Sequence, residues 1–128
     1  IHANSGGTRS ISGIETFLLT PPQTPSTYGN SVQEEKHNGN HNAKQNARLA
    51  YEIQKNLLAA TGAVDRGVKH AQFAVLREAA CPAVLVETGF LSNSREESRL
   101  VMPAYQRKVA VGIAYGVAAY QKCLARRW

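Results

Sequence analysis

The run Pro82-Ala83-Val84-Leu85-Val86-Glu87-Thr88-Gly89-Phe90-Leu91-Ser92-Asn93 decides the reading of this chain. Residues 82–86 are continuously apolar. That is the pattern of a strand covered on both faces, which belongs mostly to parallel sheets layered between helices. Pro82 is tolerable at the first position of such a strand but not in its interior. The strand delivers a carboxylate, Glu87, into a Gly turn, and the carboxyl end of a buried strand is where α/β proteins place their sites. Partial desolvation there would raise the Glu87 pKa toward the range of a general base. The other reading of Glu87 is a side chain capping the backbone of the loop that follows.

Working outward, Ser92-Asn93-Ser94 reads as a turn, and Ser94 with Glu97 as a capping box opening a short helix. Pro103 separates that helix from a last one over about 104–125. Val109, Gly112, Ile113, Gly116, Val117 and Tyr120 line one stripe of this helix. Its two glycines lower helix propensity and point to close packing against a neighbouring layer. Arg126 and Arg127 fall at the negative end of its dipole.

Upstream, Phe73-Ala74-Val75-Leu76 reads as a short strand and Asp65-Arg66-Gly67 as a turn. Ala47, Ala50, Ile53, Leu57 and Leu58 mark a helix from Asn42, with Gln45 as a capping-box partner and Gly62 as the stop. Residues 21–42 hold three prolines and the run Asn38-Gly39-Asn40-His41-Asn42, and are expected to be a long mobile rim beside the cleft. The chain begins with a strand end, a Gly/Ser loop, and a second strand at Gly13-Ile14-Glu15-Thr16-Phe17-Leu18-Leu19. Glu15 within that strand either forms a salt bridge or lines the site. The expected architecture is a three-layer α/β domain with a mostly parallel central sheet and helices on both faces. A small complete α+β domain is the alternative.

Bulk properties narrow the function. The 128 residues allow one domain with a core, and 43% hydrophobic with 19% charged residues is ordinary globular usage. The net charge of +6 suits an anionic partner. The basic residues are scattered rather than interleaved with aromatics, so no nucleic-acid partner is expected. The most apolar stretch, Val109 to Tyr120, falls short of the roughly 20 residues that a bilayer span needs, so no transmembrane segment is expected. Cys81 and Cys123 read as small buried hydrophobes rather than a bridge. His2 follows a strand-like start and could bind zinc, whereas His37, His41 and His70 read as solvated or exposed.

Five segments together carry a resemblance: Ile1-His2-Ala3-Asn4-Ser5, Gly13-Ile14-Glu15-Thr16-Phe17, Asp65-Arg66-Gly67-Val68-Lys69, Phe73-Ala74-Val75-Leu76-Arg77, and Pro82 through Asn93. In this order the chain is similar to the zinc-dependent N-acetylmuramoyl-L-alanine amidases of bacterial cell-wall turnover, the third amidase family. The resemblance implies a hydrolase that cuts the amide between N-acetylmuramic acid and L-alanine in peptidoglycan, an autolysin of the periplasm, the cell wall or the secreted fraction. It implies Zn2+ as cofactor, held by two histidines and a glutamate, with His2 as one metal ligand and Glu87 as the catalytic acid/base. Zinc would polarise the carbonyl and activate the water, while Glu87 moves the proton. Asn4, Glu15, Arg66, Thr88 and Gly89 would stand behind the site or line the substrate cleft.

No residue of the chain matches the family's other two zinc ligands. The chain opens at Ile1 without an initiator Met or a signal peptide. Residues 1–128 are therefore expected to be the C-terminal portion of a single catalytic domain, inactive by itself. The alternatives are a zinc peptidase of related build acting on stem peptides, or a non-catalytic wall-binding fragment. Any regulatory protein partner is left unidentified.

Overall fold

The computed structural model describes residues 1–29 and 32–126. The parts of the long-loop and helix-end expectations that fall on Asn30, Ser31 and Arg127 lie outside the described residues. Four strands form one sheet: β1 (His2–Asn4), β2 (Ile14–Leu19), β3 (Asp65–Ala71) and β4 (Leu85–Phe90), in the order β1-β4-β2-β3. The outer pairs, β1 with β4 and β2 with β3, run parallel, and the central pair β2 with β4 is antiparallel. The sheet is thus mixed but mostly parallel. Helices α1 (Ala43–Thr61) and α4 (Pro103–Ala125) cover one face, the single turn α2 (Ala74–Arg77) covers the other, and α3 (Ser94–Leu100) follows β4.

Alternation along the strands explains the layers. Ile14 and Val86 join Leu49, Ile53 and Leu57 of α1 and Tyr105, Val109 and Tyr120 of α4 in one core. Phe17, Leu19 and Leu85 point the other way, with Ala71 of β3 and Leu76 of α2, into a smaller second core. Both central strands are buried along their whole length, but the apolar run 82–86 contributes only Leu85 and Val86 to β4, and Pro82 to Val84 form a half-buried approach instead of its first residues.

The α1/α4 platform depends on the two glycines. A Cβ at Gly116 would stand 2.5 Å from Ile53 Cα, and one at Gly112 would stand 2.7 Å from Leu57 Cα. The two helices therefore touch backbone to backbone. Pro103 occupies the first turn of α4, where its missing N–H leaves no bond unmade.

Local expectations fail at several places. Residues 65–71 are a strand rather than a turn, and Phe73 is the extended residue that starts a helical turn over Ala74–Arg77. Asn42 precedes α1 without a side-chain cap bond. The cap of α3 is Asn93 rather than Ser94, with Asn93 Oδ1 accepting from the N–H groups of Arg95 and Glu96. Cys81 is exposed and Cys123 half-buried, and both are free thiols.

The close helix contact sets a test. Gly116→Ala should lower stability to urea unfolding by about 2 kcal/mol, because a packed backbone must move. Gly7→Ala, with nothing within 4 Å of the added Cβ, should stay within about 0.5 kcal/mol of the parent. Equal unfolding curves for the two variants would refute the backbone contact as a constraint.

Candidate active site

The sheet register brings the ionisable residues into one row. Glu87 pairs with His2 on its β1 side and with Glu15 on its β2 side. The row ends on β3, where Arg66 Nε and Lys69 Nζ each donate to Glu15 Oε1 at 2.6 Å. Two carboxylates thus face each other across an antiparallel pair, an arrangement that is destabilising unless the charges are answered.

Backbone irregularity supplies the answer. Arg66 and Lys69 lie three residues apart, which in an unbroken strand would send them to opposite faces. The β2–β3 register slips between Ile14 and Thr16, with one extra residue on β3. Gly67, at φ 83°, occupies the left-handed conformation that this bulge requires. Asp65 Oδ1 accepts the Gly67 N–H at 2.8 Å and a bond from Gln54 Nε2 at 2.8 Å, which pins the bulge to α1. Both cations then reach the same side. Arg66 also lies over the Phe90 ring, 5.2 Å from its centre.

A second slip lies between β1 and β4, where two residues on β1 oppose three on β4. Gly89 sits there at φ 153°, and Thr88 Oγ1 donates to the His2 carbonyl at 2.9 Å. Glu87 is therefore not at the carboxyl end of its strand. It is the third residue of β4 and projects from the face of the sheet.

The two carboxylates titrate apart. Burial pushes the Glu15 carboxyl up, but the hydrogen bonds and charges of Lys69 and Arg66 outweigh that and hold it below its ordinary value. Burial pushes Glu87 up, the His2 charge partly opposes the rise, and the negative charge on Glu15 adds to it. His2 Nδ1 lies 3.6 Å from Glu87 Oε1, and its side chain is 61% exposed. Glu87 Oε2 is buried and finds no hydrogen-bond partner. Glu87, His2 and Asn4 line one pocket of about 220 Å³. Asn4 Nδ2 is loosely held, 3.4 Å from Glu15 Oε2.

Every residue expected at the site is thus found in or beside this row. Glu15 forms the salt bridge that is one of its two expected parts, and it stands opposite Glu87 across β2 and β4. Thr88 and Gly89 shape the backbone that presents Glu87. Two groups escaped the reading of the sequence. Lys69 lay inside a quoted motif, yet its role depends on the bulge. Glu96 is buried and accepts the Gly13 N–H at 2.9 Å and the Phe90 N–H at 2.7 Å, joining the start of β2 to the end of β4.

The expectation of a Zn2+ cofactor is corrected. Among the described residues, no three His, Cys, Asp or Glu side chains converge in a way that could hold a metal ion, whereas a catalytic zinc needs three protein ligands. His2 has one close acidic neighbour, Glu87, and the next carboxylate, Glu15, is already engaged by Arg66 and Lys69. His2 therefore stands here as a neighbour of Glu87, with Nδ1 3.6 Å from Oε1.

Comparison with known proteins follows this geometry. A family model described as N-acetylmuramoyl-L-alanine amidase matches residues 1–119. The N-acetylmuramoyl-L-alanine amidase LytC of Bacillus subtilis is 35% identical over 122 residues, 95% of this chain and 21% of that protein. Among solved structures, the catalytic domain of CwlV from Bacillus (Paenibacillus) polymyxa var. colistinus is 32% identical with a TM-score of 0.70, covering 94% of this chain and 54% of that one. The N-acetylmuramoyl-L-alanine amidase of Clostridium difficile 630 is 28% identical with a TM-score of 0.73 and the same coverage. The chain spans 20% to 48% of the length of the first curated relatives.

The opposed shifts predict opposite effects on stability. A depressed carboxyl stabilises the fold above the ordinary carboxyl value, and that contribution is lost as pH falls through the depressed one. Glu15→Gln should therefore lower stability by about 3 kcal/mol at pH 7, and the deficit should shrink in acid. A raised carboxyl acts in reverse, so Glu87→Gln should gain stability at pH 7 and lose the gain below about pH 4. Denaturant unfolding at several pH values checks both signs, and a destabilised Glu87→Gln at neutral pH would overturn the assignment.

Proposed function

The chain belongs to the N-acetylmuramoyl-L-alanine amidase family, and on that premise we propose that it takes part in hydrolysing the amide between N-acetylmuramic acid and L-alanine in peptidoglycan. The observation that carries the reading is Glu87: a buried carboxylate, raised above its ordinary value, with one buried oxygen unpartnered and its side chain lining a pocket. A base needs such a group, because a raised pKa brings its proton affinity closer to that of the water it must deprotonate.

Glu87 accepts a proton as the water oxygen attacks the amide carbonyl carbon. It then returns that proton to the amide nitrogen as the carbon–nitrogen bond breaks, leaving a lactyl carboxylic acid and a free L-alanine amine. His2, beside Oε1, limits the rise in the Glu87 pKa and keeps the carboxylate available. The Asn4 amide, in the same pocket and only loosely bound, is placed to donate to the carbonyl oxygen as it gains charge. Glu15, Arg66 and Lys69 do not touch substrate and act through Glu87. The 128 residues would form the C-terminal portion of one catalytic domain, a reading supported by covering about half of the related solved chains. The work site would be the cell wall, outside the cell or in the periplasm. Among the described residues, no helix is long and apolar enough to cross a membrane.

Product analysis with purified peptidoglycan tests this reading in the full-length protein. A released peptide with a free N-terminal L-alanine is expected, and a cut within the stem peptide would refute it. Glu87→Gln should lower kcat by at least about 100-fold. The acid limb of the wild-type kcat/KM profile should lie above the ordinary carboxyl range. Glu15→Gln should move that limb down, because it removes a negative charge that holds Glu87 up.

A further inference from the structure

The described residues around Tyr28 make specific bonds. The N–H groups of Thr27 and Tyr28 both donate to the His70 carbonyl, at 3.0 and 3.3 Å, and the His70 N–H donates to Thr27 Oγ1 at 2.8 Å. The buried hydroxyls of Thr20 and Ser26 bond at 2.8 Å, and Pro25 bridges Val32. The segment is thus fastened to the outer edge of β3, and the fastening places one ring, Tyr28. That ring stands edge-on to Phe17 at 5.9 Å and 5.7 Å from Phe73, while Phe17 and Phe73 meet at 5.3 Å. The three rings, with Val75 and Leu85, are the apolar wall of the pocket that Glu87 lines.

We propose that this aromatic wall is the subsite for the amino acid on the leaving side of the scissile amide, and that Tyr28 sets the size of side chain admitted there. The inference rests on the amide hydrolysis assigned to Glu87. To receive its proton, the leaving nitrogen must come within about 3 Å of the Glu87 carboxylate. The Cβ of the residue bearing that nitrogen is two bonds away, so it falls within the same pocket. Apolar rings at that place favour a small aliphatic side chain such as the alanine methyl, and give a polar or charged one no partner. Phe17 is 1% exposed and belongs to the core, whereas Tyr28 is 57% exposed. Tyr28 can therefore be changed without emptying the core.

The test compares N-acetylmuramoyl-L-alanyl and N-acetylmuramoyl-L-leucyl peptides as substrates of the full-length protein. Tyr28→Ala should reduce the kcat/KM preference for alanine about tenfold, through a higher KM for the alanyl peptide and a better leucyl rate. Tyr28→Phe should keep the preference, and neither variant should move the pH profile set by Glu87. An unchanged preference in Tyr28→Ala overturns the subsite. Should the wild type not cut the lactyl amide, the hydrolytic reading itself fails. The subsite then stands or falls on binding of N-acetylmuramoyl-L-alanyl-D-isoglutamine to the Glu87→Gln protein by calorimetry: about tenfold weaker binding on adding Tyr28→Ala supports it, and equal binding overturns it.

Discussion

Glu15 and Glu87 stand opposite each other where β2 and β4 run antiparallel, and the site is organised around relieving that conflict. Two ionised carboxylates in adjacent buried positions repel and are poorly solvated. The structure resolves this unequally. Glu15 receives two cations on one oxygen, and Glu87 receives only an exposed imidazole at 3.6 Å. One carboxylate is thereby fixed as an anion, while the other is left with a raised proton affinity and a bare oxygen. Separation of two like groups by environment is how a fold assigns distinct acid–base roles. The mixed topology is integral to it: the antiparallel junction creates the pair, and the parallel strands outside it bring His2 from one side and Arg66 with Lys69 from the other.

Buried polar side chains hold this arrangement in register. Gln54 of α1 accepts from Thr16 Oγ1 at 2.7 Å and donates to the Ile14 carbonyl at 3.0 Å, satisfying groups that the β2–β3 bulge leaves without a regular ladder. Asn46 donates to the Gly39 carbonyl at 3.1 Å and accepts the Ala83 N–H at 2.9 Å, tying the approach to α1 to the approach to β4. Glu96 clamps the start of β2 to the end of β4. Apart from the side-chain bond between Thr16 and Gln54, each fills a backbone requirement that would otherwise be unmet. Together they resist the slip of one residue that would turn Glu15 or Glu87 to the wrong face.

Strong local pattern was legible in the sequence, and long-range geometry was not. The β4 strand and the glycine stripe of α4 could be read because apolar runs and three-four spacing report directly on burial. Phe73-Ala74-Val75-Leu76 was misread because four apolar residues suit a strand or a helical turn equally well, and length is what separates them. Asp65-Arg66-Gly67 has the composition of a turn and does make a turn-like bond, Gly67 N–H to Asp65 Oδ1, but inside a strand. Glu87 is singled out for a strand-end position that it does not occupy, and its pKa is raised all the same because burial, rather than strand end, raises it. Lys69 could not be assigned to Glu15 from spacing, since only the bulge puts it on the same face as Arg66. Zinc is expected from the resemblance of five segments to a zinc-dependent family, of whose ligands the chain matches only His2, whereas coordination depends on how many donors converge.

The two faces of the sheet divide the labour. On one face, α1 and α4 meet backbone to backbone over a core of aliphatic and tyrosine side chains. The other carries a helix of four residues and the smaller core. A buried carboxylate with an unpartnered oxygen is a destabilising element, and the thin face is where it stands. The thick face can supply the compensating stability because its packing does not involve Glu87, Glu15 or His2. Among the described residues, this face leaves a gap beside Glu87, the pocket of about 220 Å³. In that gap the fastened segment around Tyr28 supplies the wall instead of a helix. A segment held at β3 can change its side chains without disturbing the platform below, so the burial of Glu87 and the shape of the pocket beside it can vary independently.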